Sequence, residues 1–149
     1  MNELLQQASN TPGCIVFSGA TEEDLQKTNQ LLCQNSFASL PEEYVSFLCL
    51  SDGLSYDGLE LFGTKQHSRP QKNYIFDNIA SINQSFIEFD FFVNKIIIGR
   101  MSEYLIVYNK TDKKYTIIDR VNLWTQTEFS TFVELLENLL YLCNIKNII

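Results

Sequence analysis

Apolar positions along the chain recur first at helical spacing, then run together or alternate as strands do, then return to helical spacing. Thr21 opens one helical segment, a capping side chain followed by three acids, Glu22, Glu23 and Asp24. Leu25, Thr28, Leu31 and Leu32 give that segment its core face. The stretch Leu40 to Gly53, LPEEYVSFLCLSDG, is the most fully punctuated. Pro41 suits a first helical turn, Glu42 and Glu43 place charge at the positive end of the helix dipole, and Ser39-x-x-Glu42 has capping-box spacing. Tyr44, Phe47 and Leu48 recur at i, i+3 and i+4, with Val45, Cys49 and Leu50 widening the stripe. Gly53 ends the element, because glycine enters the left-handed region without steric cost.

The middle of the chain changes period. Gly53 to Gly58 reads as a turn, Leu59 to Phe62 as a short strand, and Gly63 to Asn73 as an exposed polar loop. Tyr74 to Ser85 carries Ile75, Ile79 and Ile82 at helical spacing and is expected to be a helix. Lys95–Arg100, Tyr104–Asn109 and Tyr115–Asp119 are β-rich runs with short connections, which favours antiparallel neighbours, and Phe86 to Phe92 is a further strand candidate. Thr125-x-x-Glu128 is expected to cap a last helix with Phe129, Phe132, Val133, Leu135, Leu136, Leu139, Leu140 and Leu142 on its face. So wide a face must pack, and the sheet is the available surface. The expected fold class is α+β: one domain over residues 1–149, an antiparallel meander packed against N-terminal helices and a C-terminal helix.

The order of these motifs resembles the SUKH superfamily, whose best-known branch is named for a yeast cell-wall assembly regulator. Leu40, Pro41, Tyr44, Phe47, Leu48, Asp52, Gly53, Phe62 and Gly63 match its opening helix, its turn and the Phe-Gly after its first strand. KIIIGR, EYLIVYN, YTIID and EFSTFVELLENLL resemble its later strands and terminal helix, so the likeness runs from about Leu40 to Leu140. The chain departs in having Met101-Ser102-Glu103 where a Gly-rich turn is frequent, and Trp124 five residues beyond Asp119 rather than directly after the strand. The resemblance implies a SUKH-like fold and a protein-binding role. In bacteria that role is commonly immunity, in which the domain binds a toxin's catalytic domain and blocks it.

Composition narrows the partners. Eleven Lys and Arg against 18 Asp and Glu leave a formal charge of −7 in a 149-residue chain that is 45% hydrophobic. An acidic surface disfavours nucleic acid and anionic membrane; it serves solubility by itself and also permits attraction to a basic protein, which the resemblance would make a toxin domain such as a basic nuclease. The amino terminus has no positive region before an apolar core, and no apolar run is long enough to span a bilayer, so a cytoplasmic protein is expected. Cys14, Cys33, Cys49 and Cys143 lack metal-site spacing and are expected to be reduced and buried.

Candidate chemistry is sparse. The chain has no nucleophile elbow, phosphate loop or metal-binding helix motif, so no catalytic, cofactor-binding or metal residues are expected. His67 reads as a solvated loop histidine beside Arg69. Asp52, Asp57 and Glu60 form the densest acidic cluster outside a helix, read either as turn chemistry or as an acidic rim for a partner. Arg100 ends a strand and is read as half of an internal ion pair or as a partner contact. Tyr56 and Trp124 are candidate anchors, since aromatic residues and Arg dominate interface hot spots. The candidate partner face is therefore Asp52, Tyr56, Asp57, Glu60, His67, Arg69, Arg100 and Trp124. A housekeeping interaction module and a small-ligand domain with a pocket between sheet and helices are the alternatives.

Overall fold

The computed structural model describes residues 1–68 and 75–143. Its elements, in chain order, are α1 (Asn2–Ser9), β1 (Ile15–Val16), α2 (Glu22–Gln34), α3 (Glu42–Leu50), β2 (Leu54–Tyr56), β3 (Leu59–Leu61), β4 (His67–Ser68) and β5 (Ile75–Phe76). Then come α4 (Ile79–Gln84), a 3-10 turn at Asp90–Phe92, β6 (Lys95–Met101), β7 (Tyr104–Asn109), β8 (Lys114–Asp119), β9 (Thr125–Phe129) and α5 (Phe132–Leu142). Among the described residues one seven-stranded antiparallel sheet runs β1-β2-β3-β6-β7-β8-β9, and β4 pairs with β5 apart from it. The fold is α+β, as the pattern indicates. No helix among the described residues is long and apolar enough to cross a membrane.

Local signals account for most boundaries. Thr21 and Asp24 form a reciprocal capping box: each side chain accepts the other's backbone N–H, at 3.3 and 3.1 Å. Hydrogen bonds from Thr21, its side chain first and then its backbone N–H, hold the Asp24 carboxyl below its ordinary range. At α3 the expected Ser39–Glu42 box does not form, because extended Pro41 is itself the cap and no side chain bonds there. The motif Thr-x-x-Glu occurs twice near the end of the chain, and the second copy starts the helix. Thr131 accepts from Glu134 N at 3.2 Å, whereas Thr125 to Glu128 pair with β8 as a strand. Tyr115 and Ile117 draw Phe129 and Thr127 into register, so Phe129 belongs to the strand rather than to the helix face.

The core lies where α3 and α5 meet the sheet. Phe132 of α5 packs edge-on to Tyr44 at 5.1 Å between ring centroids and also touches Phe47 and the β8 residue Tyr115. Leu135, Leu136, Leu139 and Leu140 are fully buried beside them. Leu4, Leu5 and Ala8 of α1, a helix the sequence pattern leaves unassigned, join the same core. Cys49 and Leu50 face solvent instead of widening the α3 stripe, and Leu31 and Cys33 of α2 are exposed as well. The thiols therefore depart from the expected burial: all four are free, Cys33 and Cys49 are exposed, and Cys14 and Cys143 are half-buried. Burial, with a smaller contribution from Cys143, pushes the Cys14 thiol up to about 11.

The edge of β6 beyond β3 explains two further departures. β3 ends at Leu61, and Phe62 N still donates to Ile98 O at 2.8 Å before the chain turns away. Ile97 then has no strand partner on that side. The buried side chain of Asn83 replaces one, its oxygen accepting from Ile97 N at 2.7 Å and its nitrogen donating to Ile97 O at 2.9 Å. Ala38 N donates to Lys95 O at 3.2 Å one step further. With these positions filled, Phe86–Phe92 has no edge to join. It forms turns and a 3-10 turn rather than the strand that its composition suggests. The expected helix from Tyr74 to Ser85 is correspondingly short: Asn78 caps it by accepting from Ser81 N at 2.8 Å, and Ile75–Phe76 is strand. Tyr74 lies outside the described residues.

Tyr44 ties helix to sheet through its hydroxyl, which donates to Phe62 O at 2.5 Å with Ile98 O at 3.2 Å. Burial, reinforced by the negative charge of Asp52, raises its pKa well above the ordinary tyrosine value. The folded chain keeps this phenol neutral where the unfolded chain would ionise it. Its contribution to stability is thus complete below about pH 10 and is lost as pH rises further. Tyr44→Phe is expected to cost about 1–2 kcal/mol at neutral pH by denaturant unfolding. The gap between the two proteins should narrow at about pH 11, because only the wild type carries this ionisation. A gap that widens with pH would contradict the assignment.

Candidate functional site

Three hydrogen-bonded clusters involve the residues that the sequence singles out, and they lie in different places. The first is at the end of α3. Asp52 is fully buried, and one carboxylate oxygen accepts from Thr64 N at 2.7 Å and Thr64 Oγ1 at 2.8 Å. The other lies 2.8 Å from Nε2 of His67, which is also 3.0 Å from the Asp52 carbonyl. The His67 ring stacks on Phe17, with centroids 4.1 Å apart and planes within 11°. Nε2 faces two acceptors, the Asp52 carboxylate and its carbonyl, so it carries the proton in this contact. The geometry orients the imidazole, as a carboxylate does in hydrolytic triads, and it also fastens the polar loop to the helix end. The close approach requires glycine at 63, where a Cβ would stand 2.0 Å from the Asp52 carbonyl oxygen. Gly53, at φ +115°, reverses the chain beside it.

Three expectations are corrected here. His67 is not a solvated loop residue, since it is half-buried in β4 and paired with Asp52. Asp52 is not part of an acidic partner face, because a carboxylate with no access to solvent is satisfied internally or not at all. Glu60 is withdrawn for the same reason. It is buried on β3, opposite Arg100 on β6, and the two form an ion pair. The Arg100 guanidinium also lies 5.5 Å from the Phe62 ring centroid. The internal-pair reading of Arg100 thus fits the structure. Arg69 lies outside the described residues.

The third cluster is a surface. The register Tyr56↔Leu59, Leu59↔Met101, Met101↔Tyr104 and Tyr104↔Asp119 places three hairpin ends on one end of the sheet. They are the Asp57-Gly58 turn, the Ser102-Glu103 turn and the Arg120–Trp124 loop. Asp57 and Gly58 both have positive φ, +42° and +89°, the backbone of a tight Asp-Gly hairpin. Arg120 N donates to Glu103 O at 2.9 Å, joining the second hairpin to the third. In the third, the Asp119 carboxylate accepts from Val121 N at 2.8 Å and Asn122 N at 3.1 Å, and Leu123 N donates to the Asp119 carbonyl at 2.9 Å. Leu123 is held at φ +64°, unusual for a bulky residue and a form of strain that concentrates at binding surfaces. Beside it, Val121 is 87% and Trp124 71% exposed.

This end of the sheet gathers Tyr56, Asp57 and Trp124 from the expected set and adds Glu103, Arg120 and Val121. Glu60 and Arg100 lie one row behind it, and Asp52 and His67 belong to the other cluster. Val121 escaped the sequence reading because a lone valine in a polar turn carries no periodic signal. The expected turn from Gly53 to Gly58 is instead strand β2 over Leu54–Tyr56 followed by a two-residue Asp57-Gly58 hairpin turn, because Leu54–Tyr56 pairs with β3.

Two surface grooves, of about 340 and 390 Å³, lie elsewhere. The first is bordered by Lys65 and Asp24, whose charged atoms are 3.5 Å apart, and the second by Phe129, Glu137 and Tyr141. Among the described residues no group of three or more His, Cys, Asp or Glu side chains is placed to hold a metal ion. Compared with known proteins, the chain matches no family model and no curated sequence.

Removing either member of the buried pair strands the other. Asp52→Ala is expected to cost about 2–3 kcal/mol, because the Thr64 N–H and the imidazole both lose their acceptor. His67→Ala should also destabilise, and the double variant should cost less than the two together by about 1 kcal/mol or more in a double-mutant cycle. Strict additivity in denaturant titrations would mean that the two residues act independently.

Proposed function

We propose that this chain is a non-enzymatic protein-binding domain that docks through the hairpin end of its sheet, in the manner of an immunity protein covering a toxin domain. The observation that carries this reading is Trp124, largely exposed on a loop whose backbone is already fixed by Asp119. An aromatic anchor held in place before binding loses little conformational freedom when it is buried. Asp57, Glu103 and Asp119 share that end of the sheet with Arg120, in a chain of formal charge −7. A basic partner therefore gains from steering on approach and from placing a cation over the indole once bound.

The order of motifs from Leu40 to Leu140 that resembles the SUKH superfamily supports the same reading. So does the internal use of Asp52 and His67, which gives those polar side chains a role in holding the fold. The inhibitory mechanism is occlusion: the three hairpins cover the partner's active site, and no bond is made or broken. A cytoplasmic location follows from that role, since the producing cell must be protected where the toxin would act.

The test is co-expression with any toxin domain encoded beside this gene. Rescue of growth and a one-to-one complex are expected. Trp124→Ala should weaken the complex roughly 30-fold or more, the penalty of a hot-spot residue, with the unfolding midpoint unchanged. Asp57→Lys with Glu103→Lys should slow association mainly at low salt. No rescue and no complex would defeat the immunity reading, and full affinity in Trp124→Ala would remove the hairpin end as the docking face.

A further inference from the structure

The opposite end of the sheet carries a different surface. β6 runs from Lys95 to Met101 between the two ends, about 20 Å at the usual strand rise. Just before it, Phe86–Val93 forms a ladder of rings from core to solvent. Phe92 is buried, half-buried Phe86 packs on it at 5.2 Å, and Phe91 meets it edge-on at 5.0 Å. Phe89, 5.8 Å from Phe86, is 55% exposed, and Ile87 and Val93 are 46% and 48% exposed. The outer rings are seated on the core, so this apolar surface is built into the fold rather than left on a loose loop. Lys95 donates from Nζ to Phe91 O at 2.7 Å and lies 4.6 Å from that ring's centroid. The β7–β8 turn adjoins the segment, since Lys110 N donates to Asn94 O at 3.0 Å.

The charges here differ from those of the rest of the chain. Lys95, Lys110, Lys113 and Lys114 meet Glu88, Asp90 and Asp112, a nearly balanced set in a protein of formal charge −7. Glu88 and Asp90 sit on the phenylalanine segment, while Asp112 shares the neighbouring turn with Lys110, Lys113 and Lys114. A partner of one charge sign would leave half of these groups unmatched. A bilayer would require Glu88 and Asp90, interleaved with the apolar side chains, to enter its interface. A second copy meets both conditions. A two-fold axis sets the phenylalanine segments against each other and brings each Glu88/Asp90 pair toward the lysine turn of the other copy.

We infer that the Phe86–Val93 segment and the Lys110–Lys114 turn form a self-complementary contact between two copies of this chain. The contact leaves the Trp124 hairpins outside it, so it stands apart from the proposed function. Its extent is smaller than the 20–30 residues a side, roughly, of a standard interface, so association is weak and concentration-dependent.

Sedimentation or light scattering across concentration tests this on the wild-type chain. The apparent mass should rise from 17.2 kDa toward twice that value. Phe89→Ser with Phe91→Ser should move the midpoint up by about tenfold or more while the circular dichroism spectrum is retained. A charge exchange adds a test that does not alter the apolar surface. Glu88→Lys with Asp90→Lys, and separately Lys110→Glu with Lys113→Glu, should each abolish self-association. Mixing the two variants should restore a dimer containing one of each, because both halves of the contact regain opposite charges. A wild type that stays at 17.2 kDa up to about 1 mM would overturn the inference, given that even weak specific contacts form by then. So would a serine variant that associates like the wild type, or a mixture that stays monomeric.

Discussion

A carboxylate taken fully out of water is tolerable only if every lone pair that matters is met. Asp52 therefore constrains much of what surrounds it. Its two oxygens hold the start of the polar loop through Thr64 and the strand β4 through His67. For those bonds to close, the loop backbone must pass against the Asp52 carbonyl, which only glycine at 63 permits, and the chain must reverse at Gly53. The same turn delivers α3 onto the sheet, where the Tyr44 hydroxyl reaches the carbonyls of Phe62 and Ile98. Helix end, loop and first hairpin thus share one set of polar contacts.

The sheet translates that arrangement into two distinct surfaces. Its antiparallel order gathers alternate connections at the same end. The Asp57, Glu103 and Trp124 loops stand together although they are far apart in the chain. At the other end Asn83, Ala38 and Phe62 fill the exposed ladder of β6, which leaves the phenylalanine segment outside the sheet. One end is aromatic and acidic on a rigid turn, and the other is apolar with balanced charge. Both follow from which strand ends are paired and which are replaced by side chains.

Helical periodicity was the most legible signal. The cap at Thr21, the Tyr44-Phe47-Leu48 stripe and the leucines of α5 are all local, because a helix bonds within itself and its buried face repeats in sequence. The three long strands were legible as β-rich runs, continuously buried in the middle of β6 and β7 and alternating with Thr116 in β8. Boundaries that depend on competition were not. Thr125-x-x-Glu128 and Thr131-x-x-Glu134 are equivalent as caps, and pairing with β8 chooses between them. Cys49 and Leu50 read as core, but both are exposed.

The candidate site divides in the same way. Sequence alone determined that the chain is an acidic α+β domain with helices at either end of an antiparallel meander. It also singled out Asp57 and Trp124, which the structure leaves exposed. Only the tertiary structure decided that Asp52 and Glu60 are internal, that His67 is clasped rather than solvated, and that Trp124 shares one end of the sheet with Asp57 and Glu103. The reason is physical: composition and period report what a residue can do within its own element. Burial and pairing are instead settled by groups distant in the chain that the fold brings within a few ångströms.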